Sequence, residues 1–263
     1  MHDPAAHPVP KWVYDPPADG PRVVHEELYE VERDGSAGPG GFVVVDKPAG
    51  LLAVPGIGPE KADCARSRVQ RMYSWATGPM TVHRLDLATS GVLILALDPW
   101  THRNLSRQFE DRRVEKRYVA LVEGHLEVDS GAIDVPMRKD MDRPPTQLVD
   151  WREGKESRTE FRVLARGTID ASGRAIDVTR VELRPITGRT HQLRVHAAHP
   201  RVAVVGHAPG DHLPEEDGLG APIVGDEMYG GIDAPRLMLH AWSVTFHHPK
   251  MGRRMSCASD PSF

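Results

Sequence analysis

The sequence predicts an α+β fold, built on a mixed, mainly antiparallel sheet with flanking helices. Three observations support this prediction: apolar runs of strand length dominate the chain, helix-like patterns are few, and the sequence contains no internal repeat. With 263 residues, the chain is long enough to bury a substantial core in one large domain or two small ones.

The N-terminal part is expected to lie outside the folded core. Residues 1–22 are rich in proline and polar residues and show no periodicity, which predicts a flexible extension. The compact domain is expected to span residues 23–263. A loose stretch at residues 35–41 leads into the apolar run 42–45, which ends in Asp-Lys-Pro-Ala-Gly at residues 46–50 and predicts a strand followed by a turn.

The middle of the chain combines predicted strands with one helix. The apolar run 92–97 predicts a buried strand, and Asp98 and Pro99 suit the N-cap and first turn of a helix that follows it. The alternating run that begins at Tyr118 predicts another strand, with Lys116 and Tyr118 on the same face.

The C-terminal half contains three more predicted strands, at residues 160–164, 176–183 and 237–246. Between the last two, Thr190 is a candidate N-cap for a helix over residues 191–199. Strands therefore outnumber helices along the whole chain, as the fold class requires.

Cysteine content and hydropathy exclude several protein classes. The two cysteines, Cys64 and Cys257, lie far apart and do not make a disulfide framework, and no Cys-x-x-Cys zinc pattern occurs. No segment approaches the roughly 18 apolar residues of a membrane span. Residues 1–12 lack the apolar region of a signal peptide. We therefore expect a soluble, cytoplasmic protein.

The most informative segment reads His-Arg-Leu-Asp-Leu-Ala-Thr-Ser-Gly at residues 83–91. It places one carboxylate, Asp86, between the cation of Arg84 and a Thr-Ser-Gly turn, at the edge of the predicted buried strand. A carboxylate that a rigid element holds on a loop, with a cation nearby to keep it ionised, suits nucleophilic chemistry. The structural alternative is an aspartate that caps its own turn.

This segment resembles the HRLDxxTSG signature of the RluA-type pseudouridine synthases. Four further blocks occur in the order and at the spacing of that family: Asp-Lys-Pro-Ala-Gly-Leu at 46–51, Lys-Arg-Tyr at 116–118, Arg-Thr-His-Gln-Leu-Arg-Val-His at 189–196 and Pro-Arg-Leu-Met-Leu-His-Ala at 235–241. A nine-residue signature with four ordered companions is a specific match.

The resemblance implies the pseudouridine synthase fold, a long bent sheet with the active cleft across its middle. It also implies the isomerisation of specific uridines to pseudouridine in structured RNA, on a base flipped out of its stack. The segment before residue 41 is too short for the S4 domain of many relatives. The compact form is similar to the small subgroup that acts on tRNA and 23S rRNA. One departure is the acidic insertion at residues 201–219, whose role stays open.

Three residues are expected to be catalytic under this resemblance. Asp86 would be the nucleophile, attacking either the sugar carbon or the pyrimidine ring. Arg194 would be the buried cation that pairs with Asp86, and its alternative is a surface salt bridge on a helix. Tyr118 would stack on the target uracil and assist deprotonation of the ring carbon, and its alternative is a half-buried strand tyrosine.

Seven residues are expected to bind the substrate. Arg84 would fill the space left by the flipped base or hold the RNA backbone, and His83 would orient the loop. The others would line the site or contact phosphates without reading bases: Lys116, Leu193, Arg107, Arg112 and Arg113.

The distribution of charge bears on the expected partner. A net charge of -4 argues against wholesale nucleic-acid binding. Residues 61–117, however, hold eleven basic and six acidic side chains, a local charge of +5. Such a run is also typical of a solvated helix face, but its location around Asp86 favours a surface that binds RNA. The chain is expected to bind RNA as a monomer.

Two other function classes are possible interpretations of the sequence. A metal-dependent hydrolase would use a cluster of His191, His196, His199, His207, His212 and Asp211. On a helix His191 and His196 would point about 140° apart, whereas HExxH helices place their ligands four residues apart. An RNA-binding protein without catalysis would require Asp86 to be dispensable. No nucleotide loop, flavin motif or metal pattern occurs, so we expect neither cofactor nor metal.

Overall fold

The computed structural model of the protein describes residues 14–33, 36–171, 173–200 and 218–263. The helices of this part are α1 (Ala65–Met72), α2 (Pro99–Glu110) and α3 (Gln192–Ala198), with a short 3-10 helix at Pro59–Lys61. Its strands are β1 (Arg22–Arg33), β2 (Ser36–Lys47), β3 (Ser90–Ala96), β4 (Glu115–Glu123), β5 (Ser130–Asp134), β6 (Met137–Lys139), β7 (Gln147–Val149), β8 (Arg158–Ala171), β9 (Arg174–Pro185), β10 (Leu239–His247) and β11 (Arg254–Ala258).

One large sheet organises the described residues. It has nine strands in the order β1-β2-β3-β10-β4-β9-β8-β5, with β11 paired to β10, and β6 and β7 form a separate hairpin. Strands β3 and β10 run parallel, and the other pairings within the described strands are antiparallel. The predicted α+β class with a mixed, mainly antiparallel sheet is confirmed.

Several elements lie where the sequence predicts them. The apolar run 92–97 falls on β3, which is buried along its whole length. A strand covered on both faces has no solvent side, so its residues are uniformly apolar. Asp98 caps α2 as predicted, because its Oδ1 accepts hydrogen bonds from the backbone N–H groups of Trp100 and Thr101 at 2.9 and 3.0 Å.

The helix predicted over residues 191–199 is shorter, and its predicted N-cap is wrong. Helix α3 begins at Gln192, and the N-cap position belongs to His191 rather than Thr190. His191 has a left-handed backbone, with φ 54°, and makes no side-chain capping bond. Its ring bonds to another part of the chain instead, an interaction that a local capping pattern does not reveal.

The predicted flexible extension differs from the structure at its C-terminal end. The Tyr14 hydroxyl donates to the carbonyl of Asp63 at 2.8 Å, and Tyr14 is buried. Arg68 donates to the carbonyls of Pro17 and Asp19, each at 2.8 Å. Residues 14–21 are therefore held against the domain, while residues 1–13 lie outside the described part of the chain.

Two hydrophobic clusters form the main core, and they flank the middle of the sheet. One packs β2 and β3 against α1, and the other packs β4 and β9 against α3. Tyr118 on β4 packs against both clusters. The boundary between the two halves therefore runs past this side chain. Of the helices in the described residues, none is long and apolar enough to cross a membrane.

Candidate active site

A cleft of about 1380 Å³ opens where the two core clusters meet. Three loops line it: residues 82–89 before β3, residues 185–194 between β9 and α3, and residues 234–237 before β10. Most of the residues that the sequence predicted for catalysis or substrate binding border this cleft: Asp86, Tyr118, Arg194, His83, Arg84, Lys116, Leu193 and Arg112.

The loop that carries Asp86 is fastened at both ends. On its N-terminal side, His83 Nε2 accepts a hydrogen bond from the backbone N–H of Ile94 at 2.9 Å, and its ring stacks on Phe109 at 4.6 Å. On its C-terminal side, Gly91 has φ +112° and pairs with Ala241 of β10. A Cβ at Gly91 would lie 2.3 Å from the Ala241 carbonyl oxygen, so only glycine allows this approach.

Lys47 is fully buried and forms a hydrogen bond to the same loop. Its Nζ donates to the backbone carbonyls of Leu51 at 2.7 Å, Pro48 at 3.0 Å and Leu87 at 3.2 Å. Leu87 follows Asp86, so the Lys47 side chain joins the turn after β2 to the loop that carries Asp86. Burial lowers the pKa of Lys47 to about 7, and the Asp86 carboxylate opposes that effect. This role of Lys47 was not predicted from the sequence, although the family block at 46–51 contains the residue.

The Asp86 carboxylate is half-buried and lines the cleft. It makes no hydrogen bond or ion pair with any of the described residues, although its backbone carbonyl accepts from Thr89 N–H at 3.2 Å in the turn. An unpaired carboxylate near buried cations remains available to a substrate. This geometry differs from that of a turn-capping aspartate, whose side chain bonds to its own backbone.

The sequence predicts that Arg194 pairs with Asp86, and this prediction is wrong because Arg194 pairs with a different carboxylate. Arg194 is buried as predicted, but its Nε and Nη2 donate to the two carboxylate oxygens of Asp226 at 2.8 and 2.6 Å. Asp226 is fully buried, and a buried carboxylate needs a partner with matching geometry. Asp86 interacts with Arg194 only through space. Burial opposes the Arg194 charge, and Asp226 and Asp86 outweigh that effect and raise its pKa.

His191 lines the cleft and contacts Tyr229, and neither residue was predicted as part of a pseudouridine synthase site. The backbone N–H of Gln147 donates to Tyr229 Oη at 2.9 Å, and Oη lies 2.8 Å from His191 Nδ1. The Tyr229 hydroxyl and the His191 ring therefore share one hydrogen bond, whose donor depends on the His191 tautomer. Burial lowers the pKa of His191, which favours the neutral ring. The signal for Tyr229 and Asp226 was the Gly-Asp-Glu-Met-Tyr-Gly block at residues 225–230.

Tyr118 and Lys116 share one face of β4, as predicted, and both line the cleft. Burial and the Asp86 carboxylate raise the pKa of Tyr118, so its hydroxyl is neutral at rest. Burial lowers the pKa of Lys116 to about 8. Its Nζ donates to the Thr187 carbonyl at 3.4 Å, which links β4 to the loop that follows β9.

The structure places some of the remaining predicted residues at the cleft and others away from it. Arg84 is exposed at the edge of the cleft, and Leu193 is buried in its wall. Arg113 lines a smaller pocket beside the cleft, which Arg112 also borders. Arg107 is exposed on α2 and lines neither cavity, so the structure does not bring it to the site.

The alternative of a histidine metal cluster finds no support in the described residues, where no group of three potential ligands occurs. His196 instead lies 3.0 Å from the Ser157 hydroxyl and is buried in the domain. Three members of the hypothetical cluster, His207, Asp211 and His212, lie outside the described residues, as does most of the 201–219 insertion.

Comparisons with known proteins agree on one family. The sequence profile described as RNA pseudouridylate synthase matches residues 41–199. The chain is 41% identical over 226 residues to the dual-specificity RNA pseudouridine synthase RluA of Yersinia pestis, covering 84% of this chain and 96% of the relative. With the protein of the same description from Escherichia coli K12 it shares 39% identity, covering 84% of this chain and 90% of the relative.

Two solved human structures resemble the fold. RNA Pseudouridylate Synthase Domain Containing 1 superimposes with a TM-score of 0.63 at 29% identity, covering 90% of this chain and 85% of that chain. RNA Pseudouridylate Synthase Domain Containing 4 has a TM-score of 0.61 at 23% identity, with coverages of 92% and 89%, a likeness of fold alone.

Proposed function

The chain belongs to the RluA-type RNA pseudouridine synthases, and from this premise we propose that Asp86 is the nucleophile that isomerises uridine in its cleft. The observation that carries the proposal is the unpaired Asp86 carboxylate. It lines the cleft on a loop that Lys47 and His83 fasten from two sides. A nucleophile needs such a fixed position and a free oxygen.

The reaction rearranges the uridine without net oxidation or hydrolysis. Asp86 forms a covalent bond either to the sugar C1′ or to the pyrimidine ring, and the N1–C1′ bond breaks. The uracil turns so that C5 faces C1′, the C5–C1′ bond forms, the bond to Asp86 breaks and releases the carboxylate, and C5 loses a proton while N1 gains one, so that the net reaction is an isomerisation. Covalent attachment keeps the detached base or sugar from diffusing away while the base rotates.

Tyr118 is assigned to stacking on the flipped uracil, since it lies at the boundary of the two core clusters beside Asp86. Because its pKa is raised, the resting hydroxyl is not a base. It takes the C5 proton only if its own proton leaves in the same step. Arg84, exposed at the cleft edge, is assigned to the space that the flipped base leaves in the RNA.

The proposed substrate is a structured RNA in which the target uridine must leave its stack. The bacterial relatives are described as dual-specificity RNA pseudouridine synthases, which supports action on more than one RNA. We assign ribosomal RNA, transfer RNA or both as substrates. We propose that the protein acts in the cytoplasm as a monomer.

The test is a map of pseudouridines in total RNA from cells with and without the gene. Sites that disappear on deletion and return with the wild-type gene identify the substrates, and an Asp86→Asn gene should restore none. The purified protein should then modify the same uridines in transcribed stem-loops. A deletion strain whose pseudouridine map is unchanged, together with a purified protein inactive on those RNAs, would contradict the proposal.

A further inference from the structure

A side pocket of about 270 Å³ adjoins the catalytic cleft. The two cavities share Arg112, Val114 and Lys116 in their walls. The side pocket is lined by the segment that follows α2 and by strands β4, β9, β10 and β11, and it holds five basic side chains and one carboxylate: Arg112, Arg113, Lys116, Arg184, Arg254 and Glu115. It is therefore a strongly basic cavity that adjoins the cleft in which Asp86 lies.

Three of these basic side chains pair with no carboxylate of a described residue, although one of them, Lys116, donates a hydrogen bond to the Thr187 carbonyl. Arg184 pairs with Glu160 at 2.9 Å, and Arg254 pairs with Glu115 at 3.0 Å. Arg112 and Arg113, in contrast, form no side-chain hydrogen bond or ion pair with any described residue. Both are exposed, so the protein presents two adjacent free guanidinium groups at the mouth of the pocket.

The backbone of Arg112 provides a second, independent observation. The N–H of Arg113 bonds to the carbonyl of Gln108 at 2.9 Å, and the N–H of Arg112 bonds to that of Phe109 at 3.1 Å. These bonds define a Schellman motif, whose left-handed position is usually glycine. Arg112 occupies it with φ 55°. A side chain at such a position is unfavourable and suggests a function. The other described non-glycine residue with positive φ, His191, also lines the cleft.

We propose that the side pocket binds one backbone phosphate of the RNA strand beside the target uridine, with Arg112 and Arg113 as its ligands. Guanidinium groups bind phosphate oxygens through paired N–H donors, and the position of the pocket beside the cleft suits a strand that leaves the active site. The contact positions the RNA and carries no base specificity. This inference rests on the proposed function, because it assumes that the cleft holds a uridine of an RNA strand.

The test replaces Arg112 with the residue that its backbone favours. Arg112→Gly should fold at least as well as the wild type, since glycine adopts φ 55° without strain. With a stem-loop substrate, its KM should rise roughly tenfold at an almost unchanged kcat. The log-log slope of RNA affinity against salt should flatten by about 0.7 to 0.9, because the variant neutralises one phosphate fewer. Arg112→Asn, which also tolerates a left-handed backbone, should behave alike.

The matched control is Arg174→Ala, an exposed arginine at the β8–β9 hairpin that lines neither cavity. A series of substrates, each with one neutral methylphosphonate linkage at a different position near the uridine, then identifies the phosphate that the pocket binds. At one position the wild type should lose clearly more affinity than Arg112→Gly, in which only Arg113 is left to bind that phosphate. If every linkage weakens both proteins equally, or if Arg112→Gly matches Arg174→Ala, the subsite is refuted. A wild-type protein without turnover would instead refute the proposed function.

Discussion

Asp86 acts in an environment that other segments of the chain create. Lys47 approaches from the turn after β2 and binds the carbonyl of Leu87, the residue after the nucleophile. Arg194 lies near Asp86 but gives its hydrogen bonds to Asp226. Asp86 is therefore close to two buried basic side chains that direct these hydrogen bonds to other groups, and its carboxylate bonds to none of the described residues.

The first prediction concerns the nucleophile itself. Asp86→Asn removes the attacking charge with little change in volume, so the fold and RNA binding should persist while pseudouridine formation ceases. Asp177→Asn, an exposed carboxylate on β9, is the control and should keep full activity. Turnover and RNA affinity are measured together. Residual activity within about tenfold of the wild type, only ~1.4 kcal/mol in barrier height, would exclude Asp86 as nucleophile.

The second prediction concerns the buried ion pair. Arg194→Met leaves Asp226 buried without its cation, which should lower the free energy of unfolding by about 3 to 5 kcal/mol. Arg184→Met breaks a pair of similar length at the surface and should cost about 1 kcal/mol or less. Denaturant titration of both variants gives the comparison. Equal losses of stability would mean that the Arg194–Asp226 pair behaves like an exposed one.

Among the secondary-structure elements, β10 joins the two strands on either side of the candidate site. It is paired in parallel with β3 at Gly91 and antiparallel with β4 at Tyr118. It therefore links β3, which follows the loop of Asp86, to β4, which carries Tyr118. The parallel contact is short, at Ser90–His240 and Gly91–Ala241, so a small local change should separate the two halves of the site.

The third prediction tests this contact. Gly91→Ala would place a Cβ 2.3 Å from the Ala241 carbonyl at φ +112°, so we expect stability to fall by about 2 kcal/mol or more, with reduced activity. Gly167→Ala is the control: a Cβ there meets no atom within 4 Å. It should change stability by about 0.5 kcal/mol or less. Thermal unfolding of both variants is the measurement, and equal melting temperatures would contradict the argument.

Helix α3 is attached to the segment before β8 by His196. Ser157 Oγ donates to the Val135 carbonyl at 2.5 Å, so His196 Nε2, at 3.0 Å, must be the donor to Oγ. Nδ1 then carries no proton and, among described residues, has no partner. The buried ring is therefore neutral, and burial lowers its pKa to about 3.

The fourth prediction follows from this pKa. Between about pH 6.5 and 3 the unfolded chain binds a proton at His196 that the folded chain does not, so this residue makes stability fall as pH falls through that window. Above pH 6.5 its contribution is constant. His196→Gln should reduce the loss of stability in this range. Denaturant titrations at pH 7, 5.5 and 4.5 measure it, and parallel curves for both proteins would rule out His196 as a source.

In the molecule as a whole, the net charge is opposite in sign to the charge of the segment that is proposed to bind RNA. The chain is acidic, with a net charge of -4, yet residues 61–117 carry +5 and include the nucleophile loop and Arg112. RNA binding is therefore expected to use local basic surfaces, because the chain as a whole has the same sign of charge as phosphate. The acidic insertion at residues 201–219 contributes to that overall balance but lies mostly outside the described residues.

The fifth prediction is that the reaction needs no bound metal. The sequence contains no metal-ligand pattern, and every chemical step above uses side chains of this chain. Activity should survive exhaustive dialysis against EDTA when the substrate is a stem-loop that folds in potassium chloride alone. A loss of activity that zinc restores and magnesium does not would support the histidine-cluster alternative.

The fold class, β3, the cap of α2 and the family could all be predicted from sequence, because each depends on residues that are close together along the chain. The nine-residue signature identifies Asp86 without knowledge of any distant contact. Strand β1 was not predicted, since an edge strand with charged residues such as Glu26 and Glu30 lacks a long apolar run. The shift of the α3 N-cap to His191 was missed because Tyr229 binds its ring.

The sequence by itself therefore determined the fold class, the family and the candidate nucleophile. Only the tertiary structure decided which groups surround that nucleophile. Lys47 reaches Leu87 across 40 positions, and Arg194 reaches Asp226 across 32. The physical reason is that a buried charge is satisfied by whichever complementary group the packed core brings within hydrogen-bond distance, and separation along the chain carries no information about that distance.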